Sequence, residues 1–148
     1  MQEAQSEVNK YVTENASKFV HHISQYKDWE PDFSELSLKG VNEEIELFAD
    51  HYAHMTDEGV KDLVNIETGA YVIEIARKKF EGTLYWHSTL NQPVFLTGFP
   101  DYEIHFLPYK KIKELLENPI DTDNIILFWE RFVTITNNAK PGDKIYVE

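Results

Sequence analysis

The stretch GAYVIEIARKKFEGTLYWHST, residues 69–89, changes from the spacing of a helix to the spacing of a strand around one glycine. Before that point, apolar residues recur every three or four positions, which predicts a helix over residues 58–80. After Gly82, apolar and polar residues alternate over residues 84–87, as in a half-buried strand. Gly82 is therefore expected to end the helix as its C′ residue, and a helix packed on a sheet is the expected centre of the fold.

Two further helices are predicted N-terminal to this stretch. Apolar residues at spacings of three, four and seven indicate an amphipathic helix over residues 4–26, and a second helix is expected over residues 42–55 with Asn42 as its N-cap. A proline and a glycine interrupt the helical pattern in residues 27–40, so this segment is expected to be a loop. Its aromatic residues are expected to pack onto the core.

The third helix, introduced above, has the widest apolar face in the sequence. Thr56 or Asp57 is expected to cap its start, and Val60 and Leu63 begin an apolar stripe that predicts a central, largely buried helix. Gly69 lies inside this helix, where glycine costs up to about 1 kcal/mol relative to alanine. Its presence suggests that another backbone passes close by.

Strand-like patterns continue after residue 87. Segments 93–99 and 101–107 predict two more strands joined by a tight turn, so the middle of the chain is expected to form a three-stranded antiparallel meander. The last segment, residues 140–148, either adds an edge strand or frays.

Two helices are predicted after the meander. Pro108 is expected to open a short helix that Pro119 ends, and a final helix over residues 124–133 is expected to be capped by Asp121 or Asp123. The predicted fold class is therefore α+β, with three N-terminal helices, a three-stranded antiparallel meander and two C-terminal helices. The segregation of helices from strands predicts that the helices lie on one face of the sheet.

The composition restricts the classes of partner. With 26 acidic and 14 basic side chains, the chain carries a formal net charge of −12, and its length favours a single domain, residues 1–148. This charge repels phosphate backbones and anionic lipid surfaces, so nucleic acid and membranes are not expected partners, whereas a basic protein is. The sequence has no cysteine, which excludes disulfides, thiolate nucleophiles and cysteine zinc sites.

The start of the sequence, MQEAQSEVNKYV, has neither the basic n-region nor the apolar h-region of a secretory signal. No apolar run approaches the roughly 20 residues that are needed to cross a bilayer. A cytoplasmic location is therefore expected. The sequence leaves open whether a leader peptide was removed.

Histidines and carboxylates cluster in the segment DHYAHMTDE, residues 50–58. His51 and His54 are three apart on a predicted helix and therefore share a face, and with Asp57 nearby they are candidate metal ligands. Against a metal site, the segment lacks the H-E-x-x-H pattern of zinc hydrolases, and the sequence does not point to a further ligand. The alternative is a set of half-exposed polar residues at a helix end, and no cofactor is predicted.

His87 and His105 lie on separate predicted strands and could be close in space. If their side chains share a sheet face with Tyr85 or Glu103, they form a candidate acid–base pair. The alternative is that these residues are satisfied or solvent-facing on the outer face of the sheet. The sequence contains no G-x-S-x-G nucleophile motif, P-loop or G-x-G-x-x-G motif, so no catalytic residue is assigned.

Glu74 interrupts the most apolar part of the third helix. Lys78 lies four residues further on, and a pair at that spacing contributes only a few tenths of a kcal/mol. A structural role is favoured, in which a partly buried Glu74 hydrogen-bonds the strand or turn after Gly82. A solvated or catalytic Glu74 is the alternative.

The run TGAYVIEIARKKFEGTLYWHS, followed by PVFLTGFPDYEIHFLPYKKIKELLENP, resembles a pattern found in small uncharacterised bacterial domains. The pattern consists of a helix with Gly-x-Tyr and a glutamate three residues on, a glycine, a strand with tryptophan, and a proline before a lysine-containing helix. The matching positions are Gly69, Tyr71, Glu74, Gly82, Trp86 and Pro108, and the likeness covers about residues 63–132. Some small acidic proteins of this kind are toxin-immunity proteins, so the resemblance implies a bacterial, non-enzymatic domain.

The favoured function is binding of another protein, as an immunity protein or an adaptor-like inhibitor. In the segment DWEPDFSE, the carboxylates Glu30, Asp32 and Glu35 are expected to meet a basic surface, with Trp29 and Phe33 as apolar anchors. Trp29 is equally compatible with a place in the core. The alternatives are a small enzyme or a metal- or ligand-binding protein with a histidine and carboxylate site between helices and sheet, and a homodimer formed through exposed aromatic residues.

Overall fold

The computed structural model of the chain describes residues 2–119 and 122–148. These residues form a mixed α and β structure of five α-helices, one short 3-10 helix and one four-stranded sheet. The α-helices are α1 (Gln2–Tyr26), α2 (Leu38–Tyr52), α3 (Glu58–Lys79), α4 (Pro108–Glu117) and α5 (Ile125–Asn137). The strands are β1 (Gly82–His87), β2 (Gln92–Thr97), β3 (Glu103–Phe106) and β4 (Lys144–Val147), and the 3-10 helix is Glu35–Ser37.

The sheet contains the three predicted strands and one more. β1, β2 and β3 pair antiparallel in sequence order, as predicted. β4 pairs parallel with β3, with Glu103 opposite Lys144 and Phe106 opposite Val147. The prediction of a purely antiparallel, three-stranded sheet is therefore wrong, whereas the alternative that residues 140–148 add an edge strand is confirmed by β4. The sheet is mixed because α4 and α5 separate β3 from β4 in the sequence, and because Ile145 and Val147 extend its apolar inner face.

The core lies between the inner face of the sheet and the helices. α1 contacts β1, α3 contacts β2 and α5 contacts β3. Phe106 of the sheet stacks on Phe132 of α5, with ring centroids 4.1 Å apart. Residues 67–73 of α3 are all buried, which confirms a central helix for this half of α3. In its first half, Val60 and Leu63 are 46% and 47% exposed, so the prediction that they face inward is wrong.

α2 begins earlier than predicted. The short 3-10 helix, capped by the Ser34 side chain, leads directly into α2 at Leu38, so Asn42 is not the N-cap. Gly40 was expected in a loop but lies inside α2. A side chain at this position would overlap the indole of Trp29, so the glycine permits the loop before α2 to pack closely on the helix.

The N-cap of α5 is Asn124, whose side chain accepts a hydrogen bond from the first turn of the helix. Of the two predicted caps, Asp121 lies outside the described residues. Asp123 does not cap the helix because its carboxylate pairs with Lys111 at 3.0 Å and with Arg131 at 3.2 Å. The start of α4 at Pro108 is as predicted.

Candidate functional site

The acidic loop, residues 27–37, connects α1 to α2 and contains every residue predicted to contact a protein partner. Trp29 and Phe33 are half-buried and pack against the core, whereas the predicted carboxylates of this loop are exposed. The aromatic pair therefore holds the loop on the protein. It does not form the exposed apolar centre that was expected from the sequence.

Tyr71 of α3 is the main contact of this loop. Its ring stacks on Phe33, with centroids 4.7 Å apart, and its hydroxyl accepts a hydrogen bond from Phe33 N at 3.0 Å. The same hydroxyl is hydrogen-bonded to Ser37 Oγ at 2.7 Å, and burial raises the pKa of Tyr71. Phe33 has a φ of +62°, a conformation that is costly for a residue other than glycine. Tyr71 therefore stabilises an unfavourable backbone conformation in the loop.

Glu35 fastens the other end of the loop. Its Oε2 accepts a hydrogen bond from Trp129 Nε1 at 2.7 Å, and its Oε1 accepts one from Lys79 Nζ at 2.9 Å. The hydrogen bonds from Trp129 and from Lys79 lower the pKa of Glu35. Both carboxylate oxygens thus bind groups of the same chain, and Glu35 positions the loop against α5 and α3.

The outward side of the loop has a different apolar centre. Leu36 is 88% exposed, and together with Glu30, Asp32 and Glu43 it borders a shallow pocket of about 300 Å³. Hydrogen bonds from the side chain and the backbone of Ser34 hold the Asp32 carboxylate and lower its pKa. Leu36, Glu30, Asp32 and Glu43 are here named the acidic surface. In the sequence, Leu36 differs little from Leu38, which is buried, and only the fold separates the exposed leucine from the core leucine.

The outer face of the sheet carries a hydrogen-bonded chain of three side chains. Tyr85 Oη lies 2.8 Å from His105 Nδ1, and His105 Nε2 lies 3.1 Å from Glu103 Oε1. Alternation along β1 and β3 places these residues on one face, the arrangement that the sequence offered as a candidate acid–base pair. His87 shares this face but accepts its hydrogen bond from Leu90 N, at 3.1 Å.

His105 is enclosed by its neighbours. It is 5% exposed, and the ring of Tyr146 stacks on it at 4.3 Å between centroids. Burial lowers the pKa of His105 against an opposing effect of Glu103, and burial raises the pKa of Tyr85 to about 12. Both ring nitrogens of His105 are hydrogen-bonded within the sheet, and the hydrogen bond to Tyr85 joins β3 to β1. A substrate would therefore have to displace Tyr85 or Glu103 to reach this histidine.

The residues proposed as metal ligands lie at the junction between α2 and α3. His51 lies in the last turn of α2, and His54 follows in the turn after that helix, where its backbone N donates a hydrogen bond to His51 O at 3.0 Å. Asp57 caps α3, and its Oδ1 accepts a hydrogen bond from Gly59 N at 2.9 Å. Within residues 2–119 and 122–148, no group of three or more histidine, aspartate and glutamate side chains is arranged to hold a metal ion.

Gly69 and Gly82, two glycines singled out in the sequence, are sites of close packing. At Gly69, a Cβ atom would lie 2.8 Å from the ring of Tyr109, so a side chain passes here, and not the backbone that was expected. Gly82 is the first residue of β1 and does not have the positive φ of a C′ residue. A side chain at Gly82 would overlap the carbonyl oxygen of Leu96 on β2, which explains the glycine.

Glu74 and Trp86 also make local contacts. Glu74 Oε1 accepts a hydrogen bond from Arg77 Nη1 at 2.8 Å, so the predicted bond to the strand or turn after α3 is wrong. The Trp86 ring meets Tyr11 of α1 edge-on, with centroids 5.4 Å apart, and its Nε1 donates a hydrogen bond to Asn91 Oδ1. Glu74 therefore stabilises its own helix, and Trp86 joins β1 to α1.

Comparison of the chain with protein-family models, with curated proteins and with solved structures gave no significant match. No α-helix in the described part of the chain is both long enough and apolar enough to span a membrane.

Proposed function

We propose that the chain is a non-enzymatic protein-binding domain whose acidic surface docks onto a basic protein. The observation that carries the proposal is the position of Leu36, which is 88% exposed and shares its shallow pocket with three carboxylates, Glu30, Asp32 and Glu43, against one basic residue, Lys39. In many protein complexes, a few residues near the centre of the interface contribute most of the binding energy. The carboxylates around it supply charge complementarity to a basic partner.

The construction of the loop supports this function. Tyr71 and Glu35 hold the loop from its inner side, so the acidic surface has a defined shape before a partner arrives. A preorganised surface loses less conformational entropy on binding. The formal net charge of −12 would in addition raise the association rate with a basic protein. As an immunity protein, the domain would cover a basic site on a toxin, and as an adaptor it would occupy a basic docking surface.

The experiment compares capture of partners by the immobilised wild type and by variants of the acidic surface. Extracts of the source cell are passed over each protein, and retained proteins are identified by mass spectrometry. Leu36→Asp and the double variant Glu30→Lys with Glu43→Lys are expected to lose a specific basic protein that the wild type retains. Retention by the wild type is expected to weaken as the ionic strength rises above about 0.15 M.

Matched substitutions on another surface serve as controls. Leu127 and Glu130 are exposed on α5, so Leu127→Asp and Glu130→Lys change the same chemistry away from the acidic surface. They are expected to retain the partner. The proposal is refuted if the wild type retains no specific protein, or if the variants of the acidic surface retain it as well as the controls do.

A further inference from the structure

A groove of about 320 Å³ lies between α1, α2 and the first half of α3. It shares no lining residue with the acidic surface, and it is independent of the proposed function. Its size falls within the range of pockets that bind small molecules. Val60 and Leu63 form part of its wall, which accounts for the apolar stripe of α3 that the helices of this chain leave uncovered.

The apolar wall of the groove is continuous across the three helices. Phe19 and Ile23 come from α1, Phe48 comes from α2, and the exposed pair Val60 and Leu63 comes from α3. A ligand that fills the groove would cover apolar surface now in contact with water, and each Å² so covered contributes about 25 cal/mol. The ligand must therefore have an apolar body.

Two carboxylates lie in the same groove. Glu44 is buried and pairs with Lys27, whose Nζ is 3.3 Å from its Oε1, so this pair carries no net charge. The Glu67 side chain is 9% exposed, and its Oε1 has no hydrogen-bond partner among the described residues. The one group close to that oxygen among the described residues is His22 Nδ1, at 2.9 Å, and the His22 side chain is exposed to solvent.

A buried carboxylate oxygen without a donor is unfavourable, and it is satisfied when a donor arrives. The groove thus presents, within an apolar wall, a buried carboxylate whose nearby cationic group is an exposed and displaceable histidine. An anion would be repelled, and a hydrated metal ion would find one available carboxylate and no apolar body to match the wall. An organic ammonium ion fits both properties, because its N–H groups are donors and its hydrocarbon part is apolar.

We infer that this groove binds a small organic monocation, an alkylammonium or arylalkylammonium ion whose ammonium group donates to Glu67 Oε1 and whose hydrocarbon part packs against Val60, Leu63 and Phe48. Lys27 remains paired with Glu44 in this arrangement, and the ligand takes the place of His22 at Glu67 Oε1. His22 is exposed and lies at the same oxygen, so it would move aside on binding.

The test is a titration of the full chain with 2-phenylethylamine, in which binding is measured from the NMR chemical shifts of the backbone amides. 2-Phenylethanol has the same shape without the charge, and 3-phenylpropanoate has the opposite charge. The amine is expected to shift amides of α1, α2 and the first half of α3, while the alcohol binds at least about tenfold more weakly and the acid does not bind. Equal binding of the amine and the alcohol, shifts centred elsewhere, or no binding of the amine would overturn the inference.

Two variants test the separate parts of the site. Glu67→Gln keeps the shape and removes the charge, and it is expected to weaken binding of the amine at least about tenfold. Leu63→Lys places an ammonium group at the exposed wall and is expected to compete with the amine for the groove. Glu130→Gln and Leu127→Lys are the matched controls on α5 and are expected to bind like the wild type. Unchanged affinity for the amine in both groove variants would refute the assignment. If Glu67→Gln does not fold, unchanged affinity in Leu63→Lys alone would refute it.

Discussion

The hydroxyl of Tyr71 is predicted to stabilise the protein through the acidic loop. Tyr71→Phe removes one oxygen and leaves the ring, so packing is preserved while two hydrogen bonds are lost. Phe33 N loses its acceptor, and Ser37 Oγ loses one of two partners, since it also donates to Ser34 O at 2.6 Å. Each loss costs about 1 kcal/mol, which gives a decrease of about 2 kcal/mol in the free energy of unfolding.

Tyr109→Phe is the matched control for this substitution. Tyr109 is also buried, but its hydroxyl has no hydrogen-bond partner among the described residues, and burial raises its pKa well above the usual value. Removal of an unsatisfied buried hydroxyl leaves the unfolding free energy unchanged or raises it by up to about 1 kcal/mol. The same chemical change is thus expected to lower the free energy of unfolding at Tyr71 but not at Tyr109.

Urea unfolding followed by far-UV circular dichroism measures both variants against the wild type. For a chain of this size, the loss in Tyr71→Phe corresponds to a decrease of about 4–8 °C in Tm. Hydrogen exchange of the Phe33 amide reports on the loop and is expected to be faster in Tyr71→Phe alone. The reasoning is refuted if the two variants differ by less than about 0.5 kcal/mol, because the hydrogen bonds to the loop would then contribute nothing measurable.

Three further predictions concern other parts of the fold. Burial lowers the pKa of His105, so the unfolded chain binds the proton first and the wild type should lose stability as the pH falls below about 6.5. Urea unfolding at several pH values should show a smaller loss for His105→Gln than for the exposed control His51→Gln, and equal losses would contradict this. Gly40→Ala should cost about 1–3 kcal/mol in thermal unfolding because the new methyl group overlaps Trp29, and an unchanged Tm would argue against that contact. Asn124→Ala should cost about 1 kcal/mol by urea unfolding, and a change below about 0.3 kcal/mol would remove its role as the N-cap of α5.

The residues expected to bind a partner show why the candidate site was only partly predictable. An acidic, aromatic loop is visible in the composition of residues 28–35 because charge and residue type are local properties. The sequence does not tell which side of the loop faces the core. Phe33 faces inward because it stacks on the ring of Tyr71, and Trp29 faces inward because Gly40 has no side chain and leaves space for the indole. Leu36, in the 3-10 helix that follows, remains 88% exposed.

The uncovered half of α3 has a similar cause. Periodicity predicted the helix and its apolar side, since both depend on residues three or four apart. Whether another element covers that side depends on where α1 and α2 lie, and this is decided by contacts across the whole chain. Val60 and Leu63 therefore belong to the predicted apolar stripe but line an open groove.

The sequence by itself determined the existence and order of the five helices and of the first three strands, because side-chain periodicity and end signals such as Pro108 act within a few residues. The tertiary structure alone decided the parallel pairing of β4 and the partners of the carboxylates. Glu35 binds Trp129, 94 positions away in the sequence, and no local pattern specifies such a contact. Pairings of this kind depend on which surfaces bury the most apolar area together, a property of the complete fold.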